Sequence, residues 1–289
     1  MSIRFPSRSY RQRMRPSSGS GGGCIRIGIA LAMVVFALIS FFGSKVFNPV
    51  TGEDQYISIT PEQEVAIGLQ SKPEMMQQFD GLDPDPRLQQ IVDEVGNQLL
   101  RSSFANKSDY PFEFHLLADQ ETINAFALPG GQVFITRALF DRLETEGQLA
   151  GVLAHEVVHV LARHGAERIA EMQLTQGLTG AVVLATYDPN NPSSQQTAQI
   201  AVLIGQLVNM KFGRDDEIQS DTLGVKIMSE AGYDPRAMIE VMQILDQSSS
   251  GNHPPEFFST HPNPENRIGK IKAAIDEEYP NGIPPGLIP

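Results

Sequence analysis

The chain is poor in cysteine and in basic residues. Its 289 residues include one cysteine, Cys24, so no internal disulfide bond is available to any part of it. Lysine and arginine number 22 against 34 aspartates and glutamates, which gives a formal net charge of −12. A domain that binds nucleic acid needs a basic face, so this composition does not support that function. No internal repeat is visible in the sequence.

The first 43 residues differ from the rest because they contain no acidic residue. Residues 27–43 form an uncharged apolar segment that is just long enough to span a bilayer. The arginines of this region lie before or at the start of that segment: Arg4, Arg8, Arg11, Arg13, Arg15 and Arg26. By the positive-inside rule, the N-terminus stays cytoplasmic and everything after about Ser44 is translocated. We therefore expect a basic cytoplasmic segment with a Gly/Ser linker at 1–24 and a transmembrane signal anchor at 25–43.

A cleaved signal peptide is the alternative to an anchor. An anchor is favoured because the basic region is long and residues 41–44 offer no small residues at the A-x-A spacing. Cys24 precedes the apolar segment, so it is not a lipoprotein cysteine. We expect a linker at 44–58, one domain at 59–279, within the range that a single core supports, and a Pro-rich tail at 280–289.

An HExxH motif occupies residues 155–159, inside an apolar stretch that has the pattern of a helix. Residues four apart share a helix face, so His155 and His159 can bind one metal ion while Glu156 lies over the same cleft. A chance match is expected in roughly one of a hundred such chains. The motif predicts a zinc hydrolase in which the ion activates a water molecule and Glu156 is the general base.

The motif supplies two protein ligands, and a catalytic zinc usually has a third. Helix geometry carries His164 away from the face of the motif histidines, so we interpret it as a core residue or as one that supports a ligand. Glu217, in an acidic segment that begins a second helix, is the better candidate. Asp221, one turn later, could accept the ring N–H of a ligand histidine. The alternative is an ordinary solvated acidic helix start.

A short extended region precedes the HExxH helix, and the rest of the pattern after residue 59 is mainly helical. Residues 112–116 alternate in polarity, and two apolar segments flank the turn at 129–131. The segment before this turn could be an edge strand that pairs with a substrate peptide: Asn124, Ala125, Phe126 and Ala127. A hairpin that merely covers the helix is an equal alternative. Two further apolar segments, 178–186 and 198–208, are too short to span a bilayer, and we expect packed helices, a lid or a membrane-surface contact there.

The motifs together resemble a family of gluzincin-type HExxH metallopeptidases. This family includes the CAAX prenyl proteases, HtpX, the mitochondrial protease Oma and the BepA-like periplasmic proteases. The resemblance runs from about residue 60 to 274, through blocks at 61–68, 124–131, 155–164, 214–221 and 255–262. It implies a mainly helical α+β, zincin-like domain with a small β-sheet beside the HExxH helix, after one transmembrane helix. It also implies one Zn2+ per chain, bound by His155, His159 and Glu217.

The resemblance places the block at 259–262 near the metal. His261 could occupy the fourth zinc position there, or it could stabilise the oxyanion during catalysis. A structural histidine that caps the next helix is the third possibility, since Asn263 and Pro264 have the pattern of an N-cap and a first helical residue.

The function that the resemblance implies is hydrolysis of misfolded or mis-assembled envelope proteins by a membrane-anchored zinc endopeptidase. We expect a single-pass protein of the bacterial inner membrane with its catalytic domain on the periplasmic side. Its partners would be unfolded or misfolded envelope polypeptides, with the membrane contacted through the N-terminal helix. The alternative function is a chaperone or assembly factor with a largely self-inhibited metal site.

Overall fold

The computed structural model describes residues 21–186, 212–249, 255–263 and 266–289, with the side chains of 21–24 and 179–186 outside this description. The predicted apolar segment at 198–208 therefore lies outside the described residues, as does Pro264. The helices are α1 (Gly21–Gly43), α2 (Pro61–Gln78), α3 (Pro86–Ser102), α4 (Arg137–Phe140), α5 (Glu146–Leu161), α6 (His164–Thr186), α7 (Arg214–Glu230), α8 (Ala237–Ser248), α9 (Phe257–Thr260) and α10 (Arg267–Glu278). The strands are β1 (Lys45–Asn48), β2 (Glu53–Tyr56), β3 (Glu113–Leu117), β4 (Ala125–Leu128) and β5 (Gln132–Thr136).

Helix α5 carries the HExxH motif through the centre of the core, and every residue from Gly147 to Leu161 is buried. Thr145 caps it, because its hydroxyl accepts the main-chain N–H of Gln148 over 3.2 Å. Helices α3, α7 and α8 pack around α5. The expected class, a mainly helical domain with a small sheet beside the HExxH helix, is confirmed.

The sheet has the order β3-β5-β4, with β3 parallel and β4 antiparallel to β5. Strand β4 is therefore an edge strand, and it lies against α5. Its turn to β5 packs on α2: a Cβ on Gly130, which has a φ of 85°, would lie 2.4 Å from Cα of Val65. Only glycine fits such a close approach at positive φ.

In the segment 44–58, which we expected as a linker, β1 and β2 form an antiparallel hairpin. Two of its buried side chains reach the end of α5. The amide of Asn48 donates to the main-chain oxygen of Leu161 over 3.1 Å, and that of Gln55 donates to Ala162 over 2.7 Å. The last carbonyls of a helix have no partner within it, so the hairpin caps the HExxH helix.

The Pro-rich segment at 280–289 also packs on the domain. The main-chain N–H of Gly147, in the first turn of α5, donates to the oxygen of Pro289 over 2.7 Å. The predicted start of the last helix near residue 264 is wrong, because α10 begins at Arg267. Asn266 precedes it with a φ of 60°, a turn that separates this helix from the preceding loop.

Residues Ile25–Gly43 of α1 are long and apolar enough to cross a membrane, the one such segment among the described parts of the chain. Helix α1 packs along α6, where a Cβ on Gly177 would lie 2.9 Å from Cβ of Ala37. The apolar segment at 178–186 is the last part of α6.

Candidate metal centre

Four side chains from three parts of the chain converge at the middle of α5. His155, His159, Glu217 and His261 each offer one ligand atom, and these atoms lie within 4.8 Å of one another. The Nε2 atoms of His155 and His159 are 3.1 Å apart. Nδ1 of His261 lies 3.1 Å from Oε1 of Glu217. All four residues are buried, so this cluster is shielded from solvent.

Close packing of α7 on α5 allows the acidic residues of α7 to reach the motif. A Cβ on Gly224 would lie 3.6 Å from the main-chain nitrogen of His155, so the backbones of the two helices come within van der Waals contact of such an atom here. Asp221, one turn after Glu217, contacts His155 rather than His159, with 2.9 Å between Oδ1 and Nδ1. This contact leaves Nε2 of His155 facing the cluster.

A buried arginine completes the acidic side of the site. Arg267, at the start of α10, donates to both carboxylate oxygens of Asp221, over 2.7 Å and 2.9 Å. Its Nη1 lies 3.3 Å from Oε2 of Glu217. Sequence reasoning gave Arg267 no role, and its one signal was its place shortly after the block that contains His261. The guanidinium balances part of the carboxylate charge.

His164 lies behind His159, in keeping with the expectation of a residue that supports a ligand. Arg163 has a φ of 60° and reverses the chain after α5, which brings His164 back to the motif. The Nδ1 atoms of His164 and His159 are 2.9 Å apart. Nε2 of His164 lies 2.9 Å from Oε1 of Gln219, on α7.

Glu156 is fully buried, and neither of its carboxylate oxygens has a hydrogen-bond partner among the described residues. Nε2 of His261 lies 3.5 Å from its Oε1. Burial raises the pKa of the Glu156 carboxyl above its ordinary value. A buried acceptor without a partner is unfavourable, so this position fits a group that a substrate or water molecule contacts.

The histidines of the cluster differ in their affinity for protons. Burial opposes protonation of His155, but hydrogen bonds to Asp221 and Glu217 outweigh it and raise its pKa to about 9. Burial and the neighbouring His155 hold the pKa of His159 well below its ordinary value. Glu217 is also buried, yet His261 and His155 hold its pKa well below the usual range.

The residues suit a divalent metal ion. Imidazole nitrogens and a carboxylate oxygen are ligands that zinc prefers. Oε2 of Glu217 and Nε2 of His261 are buried, and the part of the chain that the structure describes offers neither of them a hydrogen-bond partner. Ionised Glu156, Glu217 and Asp221 with one guanidinium leave two negative charges, which a divalent cation neutralises. The residues that would hold the ion are His155, His159 and Glu217, with His261 in reach of the same point.

The predicted substrate strand lies next to this cluster. Asn124 and Ala125 are buried, and Phe126 and Ala127 are partly exposed. The segment that carries His261 adjoins this strand, since the main-chain N–H of Phe257 donates to the oxygen of Ile123 over 3.2 Å. Oδ1 of Asn124 is buried, with no hydrogen-bond partner within the described segments.

Phe212 covers the other side of the cluster. Its ring centroid lies 4.0 Å from that of His159, and its main-chain N–H donates to the oxygen of Thr260 over 3.1 Å. An apolar cavity lies between this ring and β4, with walls that include Met75, Phe79 and Phe126.

The profile of peptidase family M48 matches residues 84–275, which is more than half of the chain and includes all the residues of the cluster. The chain belongs to peptidase family M48. The family predicted from the motifs is therefore confirmed. The β1–β2 hairpin and α2 lie outside the segment that this M48 profile matches.

Named relatives of this M48 chain come from bacteria and mitochondria. "Beta-barrel assembly-enhancing protease" of Escherichia coli (strain K12) is 35% identical over 207 residues, which cover 68% of this chain and 40% of the relative. The protein of the same name from Yersinia pestis is 34% identical, over 81% of this chain and 48% of the relative. "Mitochondrial metalloendopeptidase OMA1" of Schizosaccharomyces pombe is 29% identical, over 85% of this chain and 71% of the relative. The chain thus spans less than half the length of these bacterial relatives.

Proposed function

We propose that this protein is a zinc endopeptidase that binds one Zn2+ per chain through His155, His159 and Glu217. The observation that carries the proposal is the convergence of these ligand atoms within 4.8 Å beside the unpartnered carboxylate of Glu156. Membership of a peptidase family and the protease names of the relatives support it. Asp221 holds the ring of His155, and Arg267 holds Asp221.

A bound zinc ion would polarise the scissile carbonyl and activate the attacking water. Glu156 is the general base that accepts the proton of the water and then delivers it to the leaving amine. Its burial favours this role, because a carboxyl group with a raised pKa holds a proton more readily than an exposed one. Since no described residue is a hydrogen-bond partner of its two oxygens, both can contact the water.

His261 has two chemical roles that its position supports. Its Nδ1 belongs to the ligand cluster, so it can be the fourth ligand of a resting enzyme. Its Nε2 lies 3.5 Å from Glu156 and has no hydrogen-bond partner in the described ranges, so it can donate to the oxyanion once substrate has displaced the ring from the ion. We favour the fourth-ligand role, because Nδ1 already contacts Glu217 over 3.1 Å.

An extended peptide is the substrate that β4 suits. Among the described residues no strand pairs with the outer edge of β4, so its main chain can pair with a peptide. Oδ1 of Asn124 offers an additional acceptor for a peptide N–H. Met75, Phe79 and Phe126 form an apolar wall beside β4, which favours apolar residues in a peptide that pairs with this strand.

The location that we propose is the bacterial inner membrane, with α1 as the anchor and the domain on the periplasmic side. The apolar helix Ile25–Gly43 and the arginines before it support this topology. The bacterial relatives named for β-barrel assembly support misfolded or mis-assembled envelope proteins as substrates and a role in quality control.

Full-length protein in detergent, given an unfolded β-barrel membrane protein as substrate, tests the enzyme. We expect about one zinc per chain and cleavage, whereas Glu156→Gln should keep the zinc and abolish cleavage. Zinc without cleavage of any unfolded substrate would favour the alternative, a chaperone or assembly factor. The function of the Glu156→Gln variant in cells then discriminates between the two, since a chaperone would retain its function without the general base.

A further inference from the structure

Four polar side chains form a continuous chain from the β1–β2 hairpin to the metal centre. Nε2 of Gln219 donates to Oε2 of Glu53 over 3.1 Å. Oε1 of Gln219 lies 2.9 Å from Nε2 of His164, and Nδ1 of His164 lies 2.9 Å from Nδ1 of His159. Glu53 is exposed on β2, and His159 offers Nε2 to the ligand cluster.

The donor and the acceptor of each hydrogen bond in this series of side chains follow from Glu53, its exposed end. A carboxylate only accepts, so Glu53 requires the NH2 group of Gln219 and turns the amide oxygen of Gln219 towards His164. That oxygen also only accepts, so Nε2 of His164 carries the proton and its Nδ1 has a free lone pair. Nδ1 of His159 must then be the donor, which leaves Nε2 of His159 without a proton and able to bind a metal.

We propose that His164 and Gln219 are positioning residues that fix the tautomer and ring orientation of His159, and that the β1–β2 hairpin is part of the metal centre. The inference rests on the proposed metal site. His155 obtains the same tautomer from the carboxylate of Asp221. His159 obtains it from a neutral imidazole and an amide, which adds no further buried charge beside Glu156, Glu217 and Asp221.

Hydrogen bonds to the rest of the domain fix the β1–β2 hairpin and therefore the position of Glu53. Gln55, which neighbours Glu53 on β2, donates to the main-chain oxygen of Ala162 and also to the carboxylate of Glu167 over 3.3 Å. Asn48 opposes Glu53 in the hairpin register and is tied to Leu161. The hairpin is therefore fixed to the end of the HExxH helix at Leu161 and Ala162 and to Glu167, three residues after His164. The hairpin itself lies outside the segment that the M48 profile matches.

Zinc affinity of the full-length protein, measured by competition with a chelator, tests the inference. His164→Leu removes the acceptor for the Nδ1–H of His159, and we expect about 10- to 100-fold weaker zinc binding. His164→Gln restores a carbonyl acceptor and should recover most of the affinity. Gln219→Met should weaken binding, whereas Gln219→Glu keeps an acceptor towards His164 and should bind zinc more tightly than Gln219→Met.

A matched control lies on the same hairpin. Asp54→Asn breaks the exposed ion pair of Asp54 with Lys45, at 2.8 Å, and should leave zinc affinity unchanged. In zinc-loaded protein with 15N-labelled histidine, the Nδ1 signal of His159 should show a bound proton. All variants are compared at a temperature where circular dichroism shows them folded.

The result separates this inference from the proposed function. Failure of the wild type to bind zinc would remove the proposed function and this inference with it. Wild-type zinc binding together with unchanged affinity of His164→Leu, or equal losses in His164→Leu and His164→Gln, would overturn the inference alone. If His164→Leu does not fold, the comparison of Gln219→Met with Gln219→Glu and the Nδ1 signal of His159 decide it.

Discussion

Arg163, which is partly exposed, forms an ion pair with the buried Glu64 at the turn that follows the HExxH helix, with 2.9 Å between Nε and Oε1. The hydroxyl of Tyr110 donates to the same carboxylate, and Nη2 of Arg163 donates to the main-chain oxygen of Ile59 over 2.9 Å. The pair therefore ties the start of α2 to the residue whose positive φ directs His164 towards His159. It connects the N-terminal part of the domain with the geometry of the metal centre.

Arg163→Met should destabilise the fold by about 3–5 kcal/mol, because it leaves the buried carboxylate of Glu64 without its cation. Burial already raises the pKa of Glu64, so the deficit should shrink as the pH falls and the carboxyl becomes protonated. Adding Glu64→Gln to Arg163→Met should recover part of the loss. Urea unfolding checks this, with Arg236→Met at an exposed pair as the control, expected to change stability by less than about 1 kcal/mol.

The chemistry of the site was more predictable from the sequence than its framework. Motif spacing selected His155 and His159. For Glu217 and Asp221 it left a solvated helix start as an equal alternative, and the resemblance to HExxH metallopeptidases favoured Glu217. The structure brings the four residues together. Helix geometry alone left His164 as a core residue or a supporting residue, because its contact with His159 depends on the positive φ of Arg163. Such a conformation leaves no signal in a sequence unless the residue is glycine.

The hairpin at 45–56 was not predicted, for a physical reason. Its polar residues have the composition of a linker, and two of them are buried only because they bond to main-chain carbonyls more than a hundred positions away. The last helix was placed too early, since Asn263 and Pro264 are a good local start signal. The tertiary position of Arg267, which donates to Asp221, instead sets the beginning of α10.

Glu217→Ala should lose most of the bound zinc, because it removes one of the three protein ligands. Metal analysis of the purified full-length protein measures the stoichiometry. Asp215→Ala is the matched control, since Asp215 is an exposed acid in the first turn of the same helix. Zinc binding by Glu217→Ala as tight as that of the wild type would show that the third ligand is another residue.

Zinc binding at pH 7.5 should release about one proton from His155. A group with a pKa of about 9 is protonated at that pH, and a histidine must be neutral to bind a metal. The apparent affinity should therefore rise by about tenfold per pH unit from pH 7 and level off above pH 9. Calorimetry in buffers of different ionisation enthalpy counts the proton. An affinity that is flat over this range contradicts the prediction.

A reporter fused after Pro289 should be found on the translocated side, and the full chain should resist extraction from membranes by carbonate. Both expectations follow from the arginines before α1 and from its apolar sequence. Replacing Val34 and Leu38 by lysine should release or mislocalise the protein, because charges within a membrane span are unfavourable. A mature N-terminus near Ser44 would establish a cleaved signal instead.

His261→Ala tests the fourth-ligand role. His261 is fully buried within the ligand cluster, so a zinc-bound imidazole there would hold the position that the attacking water needs. We expect its removal to raise the rate of cleavage of an unfolded protein and to weaken zinc binding. His115→Ala is the control, because His115 is a buried histidine that contacts Gln132 in the sheet and not the cluster.

The direction of the change in rate separates the roles of His261. A fall of about a hundredfold or more at unchanged zinc content would show that His261 is an oxyanion donor, since loss of one such donor has an effect of this size. An unchanged cleavage rate in His261→Ala would show that His261 has only a structural role. His261→Asn offers a second comparison, because an amide can donate to an oxyanion but is a poor zinc ligand. If His261 is an oxyanion donor, this variant should keep the wild-type rate. If His261 is the fourth ligand, the rate should rise as it does in His261→Ala. A rate that falls in His261→Ala and is restored in His261→Asn would therefore contradict the fourth-ligand role.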